Sequence, residues 1–337
     1  MKHFLIHLLS LGGLLALSGC EAPFFPPDSG SDPVSVFNEA WTFADEEYSF
    51  FAYKGIDWEE VRSRYEPRVQ AGMSQEALFD VLAEMLYELR DGHVNLRSSF
   101  DLSRNWRWFL DSPPNYDPDL LERSYFREEQ QYLGPFVVYD FGDVAYVSYR
   151  SFGSSVSNQT MTRLIEAFGG HRGMIFDIRD NGGGSLSNAS ALARRFTREP
   201  VVFGQTRIRN GPNHEDFTEW ADERIEPEEG DTAFLKPVIL LTNRSSYSAA
   251  TFFTQMMREL PQVTVLGDTT GGGGGAPADT DLGNGWVLRV SATQLASPSG
   301  LNVEDGIPPD TTVWLNPDDV SQGFDTMVEA ALARLRR

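Results

Sequence analysis

The stretch "PVILLTNRSSYSAATFF", Pro237 to Phe253, joins a short apolar run to a polar turn and then to an amphipathic segment that continues as "TQMM". A β-rich run of this length bounded by a turn predicts a buried strand, and the segment from Ala249 onward predicts a helix. The same strand–turn–helix order recurs at "MIFDIRDNGGGSLSNASALARRF", Met174 to Phe196. From "FVVYD" and "VAYVSYR" onward, runs at Met174–Ile178, Val238–Leu241, Val263–Leu266 and Trp286–Ser291 alternate with helical stretches. That alternation predicts an α/β core with flanking helices. A C-terminal amphipathic helix bearing Met327, Val328, Ala331, Leu332 and Leu335 closes it.

Upstream the period changes. Asp32-Pro33 reads as a helix N-cap followed by proline at the first helical position. Phe37, Ala40, Trp41 and Ala44 follow at helical spacing, and Leu78, Val81, Leu82, Met85, Leu86 and Leu89 repeat it more clearly. A small N-terminal helical bundle is expected over residues 33–96, then a connecting segment over 97–142, then the core over 143–337.

The chain of 337 residues is 41% hydrophobic and 12% aromatic, enough for a sizeable core. Its net charge of −21 comes from 49 acids against 28 bases, of which only Lys2, Lys54 and Lys236 are lysines. Such a surface repels polyanions, which argues against a nucleic-acid partner. No internal repeat is visible, and the five glycines Gly271–Gly275 form the one low-complexity patch.

Residues 1–19 read as a signal peptide: a basic start at Lys2 and His3, an apolar run, and small residues Ser18 and Gly19 before Cys20. "LSGC", Leu17 to Cys20, resembles the bacterial lipobox, whose cysteine is diacylated and becomes the new N-terminus. Cys20 is the sole cysteine, so no intramolecular disulfide competes for it. Acyl chains there would hold the chain at a membrane of the bacterial cell envelope, at about 0.8 kcal/mol per buried CH₂. Residues 20–32, rich in Pro, Ser, Gly and Asp, read as a tether.

A serine hydroxyl needs a base for its proton and donors for the oxyanion before it attacks a carbonyl. Ser248 stands where the strand turns into the helix, and the free N–H groups of a helix N-terminus favour developing negative charge. A serine at that place is also an ordinary helix cap, and the position by itself leaves both readings open.

Four stretches taken together resemble one peptidase family. They are "MIFDIRDNGGGSLSNASALARRF", "PVILLTNRSSYSAATFF", "VTVLGDTTGGGGG" and "SPSGLNVEDGIPPD". In this order and spacing they are similar to C-terminal-processing proteases, tricorn core proteases and interphotoreceptor retinoid-binding protein domains. "YSFFAYKGIDWEEVRSRYEP" and "LRDGHVNL" resemble the N-terminal helical unit of the tricorn-type branch. The likeness runs from about residue 35 to 335 and implies a crotonase-like α/β core sheet.

The resemblance implies Ser248 as nucleophile, with Ser245 and Ser246 in the approach turn and Thr251 where the family usually carries glutamate. In the processing-protease branch a lysine acts as base; laid on "GDTTGGG", its place falls on Gly273, and Lys236 precedes the strand itself. The tricorn-type branch instead implies His93 as general base, a residue type whose pKa near about 6.5 suits that work. His214, in an acidic loop, is expected to be solvated, and His171 to lie at the surface. Glu304 is the implied orienter of the imidazole, with its neighbour Asp305 the alternative. Oxyanion donors are implied at the backbone of Ala249 together with Gly182 or Gly183, whose loop Asp177 and Arg179 would brace.

Residues 97–142 are too few for the PDZ domain that many processing proteases insert there. "NWRWFLDSPPNYDPD" is expected to cover or narrow the cleft. No metal or cofactor is implied, since three histidines and no free cysteine in the mature chain fit no common zinc spacing. The expected function is a lipid-anchored serine peptidase acting on peptide or unfolded protein through a Ser/His/Glu triad and an acyl-enzyme. The alternative is a catalytically silent ligand- or peptide-binding protein on the same fold.

Overall fold

A computed structural model describes residues 31–104, 111–127 and 130–337. The expected signal peptide, Cys20, most of the expected tether and part of the segment expected to cover the cleft lie outside the described residues.

The strands, in chain order, are β1 (Asn95–Arg97), β2 (Leu102–Arg104), β3 (Gln131–Leu133), β4 (Phe136–Asp140), β5 (Val144–Tyr149), β6 (Gly173–Asp177) and β7 (Val201–Ile208). They continue with β8 (Ala221–Ile225), β9 (Val238–Thr242), β10 (Val263–Gly267), β11 (Pro277–Asp281), β12 (Val287–Ser291), β13 (Thr293–Ala296) and β14 (Thr311–Thr312). A seven-stranded sheet runs in the order β14-β10-β9-β6-β5-β4-β3. Its centre, β5, β6, β9 and β10, is parallel, and β4 and β3 are added antiparallel at one side.

Every residue of β6 and β9 is buried, as parallel strands covered on both faces must be. Alternation assigns each side chain to a face. Val238 and Leu240 join Met174 and Phe176 beneath the helices Asn158–Phe168, Leu186–Ala193 and Ala249–Arg258. Ile239, Leu241 and Ile175 face the C-terminal helix Thr326–Leu335, which buries Met327, Val328, Ala331, Leu332 and Leu335 as its spacing requires. The α/β core with flanking helices is the architecture found.

The N-terminal helices Pro33–Glu47, Trp58–Tyr65 and Gln75–Tyr87 share a second core. Asp32 caps the first of them by accepting from the Val34 N–H, with Pro33 at the first helical position. This core also contains Leu96 of β1, Trp286 just ahead of β12, and Leu288 and Val290 of β12. β1 pairs antiparallel with β12 in a four-stranded sheet ordered β11-β12-β1-β2. Trp286–Ser291 therefore serves the N-terminal unit and not the α/β sheet to which its β-rich run was assigned. The boundary expected after residue 96 falls inside β1, and the main sheet begins with β3 and β4, ahead of residue 143. Pairing between strands about 190 residues apart leaves no local mark in the sequence, and this pairing brings residues 91–95 against the mouth of the core.

Candidate active site

Ser248 ends the turn after β9 with φ 56° and ψ −121°. A non-glycine residue in this region is strained and persists only where its surroundings fix it. They do so here through the backbone: the Ser248 N–H donates to the Gly272 carbonyl at 2.9 Å and the Tyr247 N–H to the Asn181 carbonyl at 3.0 Å. The helix behind it is anchored by Phe253, fully buried between Phe152 and Phe176 at ring separations of 5.2 and 5.6 Å. Truncating such a side chain costs about 3–5 kcal/mol.

His93 leaves the N-terminal unit just before β1. Its N–H donates to the Asp91 carboxylate at 2.7 Å, and its carbonyl accepts from the Asn95 side-chain amide at 2.5 Å. With both backbone groups held, its Nε2 lies 2.8 Å from Ser248 Oγ. Burial lowers the imidazole pKa, a shift that Asp91 and the Gly275 backbone oppose. The ring is thus disposed to be neutral at neutral pH, able to accept the serine proton. Residues 155 apart in the chain form one nucleophile–base contact.

The chain matches the model of peptidase family S41 over residues 143–313, half of its length. It belongs to peptidase family S41. The tricorn protease C1 domain matches residues 32–87, the N-terminal helices. A carboxy-terminal-processing protease of Bartonella bacilliformis is 27% identical over 163 residues, covering 48% of this chain and 36% of that protein. The chain spans about a third of the length of the curated relatives it matches. A crystal structure of a candidate peptidase from Parabacteroides merdae superposes with a TM-score of 0.86 at 41% identity, covering 91% of this chain and 98% of that one. The tricorn protease superposes at 0.56 with 16% identity over 90% of this chain and 37% of that one, a likeness of fold alone.

The implied oxyanion donors separate. Ala249 opens the helix, so its N–H has no carbonyl four residues back to bond. Gly182 lines the same cavity of about 300 Å³ as Ser248 and His93. Gly183 does not serve as a free donor, because its N–H is taken by Asn181 Oδ1 at 3.0 Å. Its role is space: at φ +94°, a Cβ there would meet Ser248 Cβ at 2.8 Å and Ala249 N at 2.9 Å. Asp177 and Arg179 brace this loop as expected, the guanidinium contacting Asp177 at 2.6 Å and Asp325 at 2.9 Å with no exposure.

The acid is placed otherwise than the resemblance implies. Glu304 is fully buried, but its Oε1 accepts from Lys54 Nζ at 2.7 Å and its Oε2 from the Gly274 N–H at 2.9 Å. His93 Nδ1 is buried with no hydrogen-bond partner of good geometry, so Glu304 does not hold the ring directly. Asp305 is no substitute: it is exposed and accepts from the Tyr53 hydroxyl at 2.6 Å. Burial, then the nearby Asp91, pushes the Glu304 carboxyl up to about 8 against the pull of Lys54 and Gly274.

Lys54 and Asp91 are the residues that sequence reasoning missed. Lys54 Nζ also donates to the carbonyls of Leu89 and Arg90, just ahead of His93. Asp91 Oδ2 accepts from Ser291 Oγ at 2.8 Å, tying the histidine loop to β12. The available signal was that Lys54 is one of three lysines in the chain and lies within a stretch already matched to the family.

The remaining candidates lie elsewhere. His171 pairs with Asp140 near the surface. His214 is partly exposed, and it stacks on Phe51 at 4.1 Å and pairs with Asp45. Lys236 donates to the His171 carbonyl. A Cβ at Gly273 would meet the Tyr247 ring at 2.6 Å, leaving no room for a lysine. Ser246 is buried in the turn and donates to the Ile178 carbonyl, and Thr251 bonds Thr270.

Proposed function

We propose that this chain is a serine peptidase in which Ser248 attacks the peptide carbonyl while His93 Nε2 takes its proton. The Ala249 and Gly182 N–H groups receive the oxyanion, and His93 returns the proton to the leaving amine. Water, activated by the same imidazole, then hydrolyses the acyl-enzyme. Glu304 acts on His93 at one remove: it holds the Gly274 amide, so that Gly275 lies beside the ring, while its partner Lys54 holds the carbonyls that lead into the histidine loop. The observation that carries this reading is the 2.8 Å contact of a strained serine with a half-buried imidazole.

A fluorophosphonate with intact-mass readout tests it. One adduct is expected on the wild type, none on Ser248→Ala, and an undiminished adduct on Ser245→Ala. No adduct on folded wild type overturns the reading in favour of the silent binding protein.

The proposal extends to place: the chain is tethered to the cell envelope through acylated Cys20. Cys20→Ser should abolish incorporation of labelled palmitate and release the protein from membranes; unchanged incorporation rules out the anchor.

A further inference from the structure

We infer that the outward face of the sheet β11-β12-β1-β2 receives a carboxylate of the peptide substrate beside Ser248, an inference that rests on the peptidase reading. Register places the charges. Asn95 stands opposite Arg289 on one side and Arg104 on the other, and Asp279 stands opposite Arg289. Residues opposite one another in antiparallel strands share a face, so these four side chains form one row. Arg97, two residues beyond Asn95, points the same way. The alternate residues Leu96 and Leu288 are fully buried in the N-terminal core, which fixes the arginines outward.

This face is continuous with the reacting centre. Asn95, Arg104 and Arg289 line the cavity that holds Ser248 and His93. Arg97, Arg104 and Arg289 line an adjoining hollow of about 180 Å³. The row and its neighbour bring three guanidiniums to one face beside Asp279 and Asp281, on a chain of net charge −21. Arg289 already shows how a carboxylate is received: its Nε and second terminal nitrogen grip the two Asp279 oxygens at 2.6 and 2.7 Å. That pair is two-fifths exposed, so it is weakly held and open to exchange. Charge-assisted, two-pronged bonds of this kind strengthen as a bound peptide excludes water.

The carboxylate has two sources, an acidic side chain near the cut bond or the free C-terminus. Four quenched-fluorescent peptides of one core sequence separate them: Glu or Gln beside the cut bond, each with a free or amidated terminus. Wild type is expected to favour one carboxylate by about tenfold or more in kcat/KM. Loss of the preference on Glu→Gln exchange names the side chain, and loss on amidation names the terminus. The preference should shrink with salt and fall toward one in Arg97→Gln/Arg104→Gln, whose positions are exposed. Equal kcat/KM for all four peptides, or a preference that survives the double variant, overturns the inference while fluorophosphonate still labels Ser248. Absent labelling sinks the peptidase reading instead. Equilibrium binding of the four peptides to Ser248→Ala then reads the arginine face without turnover, and equal affinities overturn it.

Discussion

The two walls of the cleft are held by different physics. Ser248 is fixed by backbone: a fully buried strand, a turn whose amides pair with Asn181 and Gly272, and a helix pinned by Phe253. His93 is fixed by buried charge, in a loop strung between the Lys54 ammonium and the Asp91 carboxylate, with Glu304 on the far side of the lysine. A backbone scaffold tolerates side-chain change, whereas a buried ionic cluster fails when any member is lost. The contrast predicts that the two walls break differently.

The largest effects sit where the walls meet. Ser248→Ala and His93→Ala should each lower kcat/KM by about 10⁴-fold or more, and the double variant should cost little more than either alone. Losses that multiply would mean that the two residues do not act as one unit. The pH profile sharpens the assignment. His93 must be neutral to accept a proton, and burial lowers its pKa, so kcat/KM should fall only as pH drops below the ordinary histidine value of 6.5. A midpoint above 6.5 would assign the base to another group.

Breaking the charged wall comes next. Lys54→Met leaves two buried carboxyls without their cation, a change that costs about 3–5 kcal/mol of stability in such pairs. Activity should fall with it, because the Leu89 and Arg90 carbonyls lose a donor. Lys54→Met/Glu304→Leu should recover part of the stability, since only Asp91 then lacks its cation, and not the activity, since the Gly274 amide loses its acceptor. Urea unfolding of the variants, set beside their kcat, separates the two effects. Glu304 also imposes a pH dependence. Its carboxyl is raised from 4.5 to about 8 on folding, so its contribution is full below 4.5 and is lost as pH rises through 8. The unfolding midpoint should therefore drop between about pH 4.5 and about pH 8, and drop less in Glu304→Gln.

The same contrast explains what was legible. The strand–turn–helix around Ser248 is contiguous, so its apolar run, its turn and its helical period are printed side by side. The alternation of Val238 and Leu240 against Ile239 and Leu241 likewise announces a strand buried on both faces. His93 was found through a motif, because neither periodicity nor composition links it to a serine 155 residues away. Lys54, Asp91 and the arginine face were not visible for the same reason. Their meaning depends on which strands pair and in which register, and β1 with β12 is a pairing that no local preference encodes. Glu304 is buried beside the site, but its partner is a lysine and not the imidazole: a glutamate seen without its lysine reads as the third member of a triad.

The smallest effect is the most direct test of that correction. Asp305 adjoins Glu304 and was its alternative, yet it faces solvent and accepts a single bond from Tyr53. Asparagine retains an acceptor oxygen of nearly the same reach, and an exposed hydrogen bond contributes about 0.5–1.5 kcal/mol at most. Asp305→Asn should accordingly change kcat/KM by less than about threefold and leave the unfolding midpoint almost unmoved. Glu304→Gln sits one residue away and should do far more harm, since an amide that accepts from Gly274 turns its own N–H₂ toward the Lys54 ammonium. If instead Asp305→Asn loses as much activity as His93→Ala while Glu304→Gln stays active, residues 303–305 must rearrange on substrate binding to bring Asp305 to the imidazole. The charged wall would then be a feature of the free protein alone, and the distinction between a wall held by backbone and a wall held by charge would not survive catalysis.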